Sequence, residues 1–290
     1  MKKINIKYLV VATSILLGLS SCLDEEGVFK DNGSNSIVEL SLAARTSSTP
    51  YATRSTTLEL EDEYLLPIVV NFTGVDGAPN DVEVTLAIDD NIVVEYDAYD
   101  TSNEYLALPT ANYELPASNK IVIPKGEKTT TYTIKLKPRL FDTTKSYALG
   151  IKIVSASAGT VSSNYSAGVY TLPVKSPWQG KYDVHYKWLI RGGAVPTTDI
   201  EYDETDIELK TAGPGIVQAQ YVGAWFSGYT NYTHNPDGTV LPFVYSGSVR
   251  AVQVFNSSYD LDNLTFEVEY SFISPANYRI IETYTRTGDL

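Results

Sequence analysis

The chain has little cysteine, histidine or positive charge, and each shortage removes a class of chemistry. Cys22 is the only cysteine in 290 residues. No disulfide can form within the chain, so each folded unit must be held by buried apolar surface. His185 and His234 are the only histidines, and two distant histidines give no metal-ligand spacing. No G-x-S-x-G nucleophile elbow is present. The run Asp203-Glu-Thr-Asp206 is the nearest thing to a calcium loop and lacks the EF-hand pattern, so neither metal nor cofactor is expected. Lysine and arginine number 22 against 35 acidic residues, for a net charge of −13. A chain this acidic is not drawn to nucleic acid or anionic lipid. The apolar run Tyr8–Leu19 is shorter than the ~20 residues that cross a bilayer as a helix.

That short run sits behind Lys2, Lys3 and Lys7, which is the layout of a secretory signal peptide over residues 1–21. Cys22 follows the small pair Ser20-Ser21, with Leu19 three positions before it. The pattern resembles the bacterial lipobox, which implies a diacylated Cys22 as the mature N-terminus. The alternative is a chance cysteine beside a signal-cleavage site. Residues 22–36, polar, acidic and rich in Gly, Asn and Ser, read as a tether. The trio Asp24-Glu25-Glu26 resembles the signal that sends Bacteroidetes lipoproteins to the outer face of the outer membrane; an ordinary acidic linker is the alternative. Two or more acyl chains anchor a protein stably, since each buried methylene contributes about 0.8 kcal/mol. Removing residues 1–21 leaves 19 basic against 35 acidic residues, a net charge of −16.

Residues 37–175 read as strands separated by Gly/Pro/Asn turns. Val82, Val84, Leu86 and Ile88 alternate with polar or small residues, as do Tyr132, Ile134 and Leu136, and again Tyr147, Leu149, Ile151 and Ile153. Period two marks half-buried strands, and strands at this spacing predict an antiparallel sandwich. The stretch Ile92–Leu106 does not alternate and is expected to form a helical turn or two on a sheet edge. The V-T-L-x-I-D strand (Val84–Asp89), L-P-x-x-x-Y-x-L-P (Leu108–Pro116), I-x-I-P-x-G (Ile121–Gly126), K-x-Y-x-L (Lys145–Leu149) and Ser162-Ser-Asn-Tyr165 together resemble the DUF1735 (BT_3987-like N-terminal) family. That resemblance implies an immunoglobulin-like β-sandwich in surface lipoproteins of glycan-degrading Bacteroidetes.

Pro177 breaks pairing, and a new pattern starts at Trp178. Tyr182, Val184, Tyr186, Trp188 and Ile190 alternate with Asp183, His185 and Lys187, which puts His185 on a polar face. Further strands are expected at 200–210, 215–222, 240–245, 249–256, 264–273 and 278–287. Seven or eight strands over residues 176–290 predict a barrel or a second sandwich. The opening P-W-x-G-x-Y and the close Tyr270–Arg286 resemble the DUF4361 (BT_3044-like C-terminal) family, which implies a lipocalin-like barrel. The expected fold is therefore all-β, an immunoglobulin-like sandwich followed by an antiparallel lipocalin-like barrel.

The stretch from Tyr221 to Asn235 holds five aromatics and a histidine, spaced by Gly, Asn and Thr. It reads as a loop whose rings could stack on sugar faces beside hydrogen-bonding groups. Trp225, Phe226, Tyr229, Tyr232, His234 and Asn235 are the ligand-binding candidates, and a strand that buries Trp225 and Phe226 in the barrel is the alternative. Trp178 and Trp188 are assigned to the core. Glu267 and Glu269 share a polar strand face, whereas the face of Glu282 is open. No catalytic residue is assigned. Three functions fit: a lipid-anchored surface protein that binds glycan within an outer-membrane uptake system, an adhesin or structural partner-binding module, and a glycoside-acting enzyme with a carboxylate pair in the barrel.

Overall fold

The computed structural model describes residues 36–43, 49–74, 76–100, 104–192, 195–223, 226–273 and 278–290. Cys22, the expected signal peptide and tether, and Trp225 lie outside the described residues.

The chain is all-β. Its first part supplies strands β1 (Ile37–Leu40), β2 (Ala52–Ser55), β3 (Tyr64–Thr73), β4 (Val82–Ile88), β5 (Tyr105–Ala107), β6 (Tyr113–Glu114), β7 (Lys120–Ile123), β8 (Thr129–Leu136), β9 (Ser146–Ala156), β10 (Thr160–Val161) and β11 (Ala167–Thr171). One sheet runs β10-β1-β3-β8-β6; the other runs β2-β11-β9-β4-β7, with β5 beside β9. Alternation explains the pairing of these sheets into a sandwich. Leu66, Ile68, Val70 and Phe72 of β3 and Tyr132, Ile134 and Leu136 of β8 meet Val82, Val84, Leu86, Leu149 and Ile151 in one core. Each such side chain contributes about 1.5–3 kcal/mol when fully buried.

The non-alternating stretch contains helix α1 (Asp90–Asp97) and then β5. Asp89 caps the helix by accepting the Asn91 amide at 3.1 Å, and it pairs with Lys152 at 2.6 Å. Ile92, Val93 and Tyr96 pack on Ala148 and Val169 of the sheet. Gly150 lets the helix start approach, since a Cβ there would stand 2.3 Å from the Asp89 carbonyl.

The second part supplies β12 (Gly180–Gly192), β13 (Val195–Gly213), β14 (Ile216–Val222), β15 (Phe226–His234), β16 (Val240–Tyr245), β17 (Val249–Arg250), β18 (Val252–Asp260), β19 (Thr265–Phe272) and β20 (Tyr278–Gly288). They form one antiparallel sheet, β17-β16-β15-β14-β13-β12-β20-β19-β18, curled into a nearly closed barrel. The seam is bridged where the Val240 amide donates to Ser257 Oγ at 2.9 Å and Tyr259 donates to the Asn235 carbonyl at 2.9 Å. The interior is aromatic: Trp178, Tyr182, Tyr186, Trp188, Tyr232, Phe266, Tyr270 and Tyr284 are all buried. His185 lies outside, with Nδ1 2.8 Å from Asp203. The Gly215 amide ties barrel to sandwich through the Thr143 carbonyl at 2.7 Å.

The expected loop from Tyr221 to Asn235 is corrected. Most of it is β15, which pairs with β14 from Ile216↔Thr233 to Val222↔Phe226 and with β16 from Tyr229↔Tyr245 to His234↔Val240. Two glycines obscured the alternation. Gly223 (φ 51°) turns the chain. Gly228 (φ 140°) admits the Tyr245 carbonyl, which would lie 1.9 Å from a Cβ.

Candidate functional site

A groove opens on the barrel surface where β13 and β14 part. They pair only at Lys210↔Gln218, Thr211↔Val217 and Gly213↔Ile216. Beyond Lys210, β13 follows β12 and β14 follows β15. A bulge in β13 lies close to this parting, where the β12 register jumps between Tyr182↔Ile207 and Val184↔Glu204 and Asp206 adopts φ 59°. Aspartate tolerates the left-handed region better than most residues, and bulges bend a strand and re-aim its side chains.

The opening is about 530 Å³ in volume, within the roughly 300–1,000 Å³ usual for small-molecule sites. Glu204 and Glu208 stand on its β13 wall with Lys210, which pairs with Glu208 at 2.8 Å. Gln218 and Gln220 of β14 stand opposite, and Gln218 donates to Asn231 Oδ1 at 2.9 Å. Tyr221, half-exposed at 51%, and Tyr229 supply aromatic surface. The Tyr229 ring is stacked on Tyr245, with centroids 5.2 Å apart and planes 14° from parallel. That stack holds the Tyr229 ring in one orientation at the groove.

The floor is Tyr186, buried and stacked on Tyr202 with centroids 5.0 Å apart. Tyr202 accepts from Trp188 Nε1 at 3.0 Å and donates to the Gly223 carbonyl, so it fastens β13 to the β14–β15 turn. Beneath the floor lies Glu282, 0% exposed. Tyr270 donates to its Oε1 at 3.0 Å, Tyr232 donates to its Oε2, and the Tyr232 and Tyr284 hydroxyls are 2.9 Å apart. Burial pushes the Glu282 carboxyl up to about 7, while the two tyrosine donors and the Gly223 amide oppose that rise. Burial beside this carboxylate pushes the Tyr186, Tyr232, Tyr270 and Tyr284 hydroxyls far up as well. A raised carboxyl of this kind suits a general acid, but Glu282 is enclosed by tyrosines and touches no open surface.

The six sequence-predicted residues are scattered. Tyr229 is at the groove. Trp225 lies outside the described residues, and Phe226 pairs through its backbone with Val222. Tyr232 and His234 were expected on a loop and instead point into the barrel, 0% and 4% exposed. Their role as surface candidates is therefore corrected: alternation along β15 turns residues 230, 232 and 234 inward. His234 stacks on Trp178 with centroids 4.3 Å apart, and desolvation lowers its imidazole to about 3. Asn235 closes the β15–β16 turn by donating to Thr239 Oγ1 at 2.9 Å. Sequence reasoning missed Glu204, Glu208, Gln218, Gln220 and Tyr221. Period two makes a polar outer face legible in 216–222, but the parting of two strands leaves no mark in either. Among the described residues, no group of three or more His, Cys, Asp or Glu side chains could hold a metal ion.

Residues 29–160 match the family model of an N-terminal domain of the DUF1735 type, in agreement with the resemblance read from the sequence. No curated protein matches the chain. Similar solved structures include a Bacteroides ovatus protein of unknown function, 14% identical, covering 88% of this chain and 95% of its own, with a TM-score of 0.46. A multidomain protein including DUF1735, also from Bacteroides ovatus, is 12% identical over 87% of this chain and 92% of its own, at a TM-score of 0.43. An auxiliary nutrient binding protein from Bacteroides thetaiotaomicron is 14% identical over 80% of this chain and 90% of its own, at a TM-score of 0.38.

Proposed function

We propose that the chain is a non-enzymatic, lipid-anchored surface protein that binds glycan for a polysaccharide-utilisation system. In this reading residues 1–21 are the signal peptide, Cys22 carries the acyl chains in the outer membrane, and residues 22–36 tether the sandwich and a DUF4361-like barrel outside the cell. The β13–β14 groove carries the proposal. Tyrosine rings offer flat apolar area with a polar tip, and Gln218, Gln220, Glu204 and Glu208 supply donors and acceptors that can bracket sugar hydroxyls. The acidic rim favours neutral glycans over anionic ones.

A glycan array of the purified protein, with Tyr229→Ala and Tyr221→Ala beside it, tests the reading. Retention of at least one neutral polysaccharide is expected. Tyr229→Ala should weaken it by ~1–2 kcal/mol, roughly tenfold in Kd, with the circular-dichroism spectrum unchanged. Wild-type protein that is retained by no glycan on a broad panel refutes it.

A further inference from the structure

A second opening lies between sandwich and barrel, about 410 Å³ in volume. Its chemistry is the reverse of the groove's. The chain carries 35 acidic residues against 22 basic ones, yet this cavity is lined by two lysines, Lys145 and Lys175, and by no carboxylate. Lys175 is already paired with Glu59. Lys145 makes no ion pair within 4 Å among the described residues; its charge acts at longer range on Asp142, whose carboxylate is held by Thr144 through Oγ1 at 2.6 Å and the backbone amide at 2.9 Å. One ammonium with no carboxylate in direct contact therefore lines a cavity walled mainly by neutral hydrogen-bonding groups.

Those groups come from both bodies. The sandwich side contributes Tyr105 and Tyr147, and the barrel side Gln179 and Thr211; six serine and threonine residues line the cavity in all. The barrel wall is braced, because the Thr211 amide donates to Gln179 Oε1 at 3.1 Å and Thr211 Oγ1 accepts the Ser176 amide at 2.8 Å.

We propose that this interdomain cavity is a second binding site, for a small carboxylated sugar, with Lys145 meeting the carboxylate and the hydroxyl-lined walls meeting the ring oxygens. A single lysine is a point charge and matches a singly charged carboxylate; the two-pronged arginine geometry that favours phosphate is absent from the lining residues. Domain interfaces are common positions for ligand pockets. A ligand here would touch both bodies and hold them together, whereas a groove ligand would touch only the barrel. The two sites would then sort glycans by charge, neutral at the groove and acidic at the interdomain cavity.

Thermal unfolding of the purified protein tests this with sodium glucuronate, glucose and sodium phosphate at matched ionic strength. Glucuronate at ten times Kd should raise Tm by about 3–6 °C, glucose should not, and Lys145→Gln should abolish the rise without lowering the ligand-free Tm. Tyr229→Ala should keep the full rise, which separates this site from the groove. No rise with glucuronate, an equal rise with glucose, or a rise that survives Lys145→Gln overturns the proposal. An equal rise with phosphate overturns the sugar and leaves a generic anion site in its place.

Discussion

Two buried groups inside the barrel should make its stability respond to pH in opposite directions. Glu282 has no exposed surface, and its carboxyl is raised from 4.5 to about 7. Between those values the folded chain holds a proton that the unfolded chain has lost. Stability from this group is therefore fully present below 4.5 and is lost as pH rises through 7, by about 3 kcal/mol at 1.36 kcal/mol per unit. His234 runs the other way. Its imidazole is lowered from 6.5 to about 3, so its contribution is present above 6.5 and is lost as pH falls towards 3. From pH 8 to 4 that loss is again about 3 kcal/mol. Between 4.5 and 6.5 the two slopes oppose each other, and the pair contributes a nearly level profile.

Substitution separates them. Glu282→Gln keeps the shape and an acceptor for one tyrosine while removing the titration. Relative to wild type, it should be more stable at pH 8 than at pH 4.5, by about 3 kcal/mol. His234→Phe preserves the stack on Trp178 and should show the reverse, gaining on wild type by about 3 kcal/mol between pH 8 and pH 4. Urea unfolding at each pH, read as the difference from wild type, cancels every group the variants share. A Glu282→Gln difference that does not change with pH, or that changes with the opposite sign, refutes the buried-carboxyl account.

Gly228→Ala places a Cβ against the Tyr245 carbonyl at a φ of 140°; it should cost more than about 2 kcal/mol, seen as a marked fall in Tm. Asp89→Ala removes the α1 cap and the partner of Lys152, at a cost of ~1–2 kcal/mol, measured by chemical denaturation; an unchanged midpoint would count against the capping role. Cys22→Ala should leave the circular-dichroism spectrum intact and move the protein from the membrane fraction to the soluble one. Continued membrane association would refute the lipid anchor.

Much of the fold is legible because strands expose their two faces at period two. Val82–Leu86, Tyr132–Leu136 and Tyr182–Trp188 alternate without interruption, and each has its alternating apolar members buried. Strand β15 is legible only in hindsight. Gly223 and Gly228 break its rhythm, and its inward members Thr230, Tyr232 and His234 are polar or amphipathic. Barrel interiors can hold such residues when hydroxyls find partners, as Tyr232 does with Glu282 and Tyr284. The face of Glu282 was open because its neighbours Ile281 and Thr283 name no side. The groove and the interdomain cavity are set by how strands separate and bodies meet, which are long-range facts that no single stretch encodes.

The strand order also bears on how the chain acquires its shape. In the sandwich β11 lies between β2 and β9, with Gly168 opposite Ala52; in the barrel β20 lies between β12 and β19, with Trp188 opposite Ile280. In both bodies a late-synthesised strand occupies an interior place and early strands wait for it. Pairings this distant in sequence carry a large loop-closure cost before any contact rewards them. A ribosome-bound chain ending before Tyr278 would present the edges of β12 and β19 unpaired, exposed to proteases and to edge-to-edge association until β20 arrives.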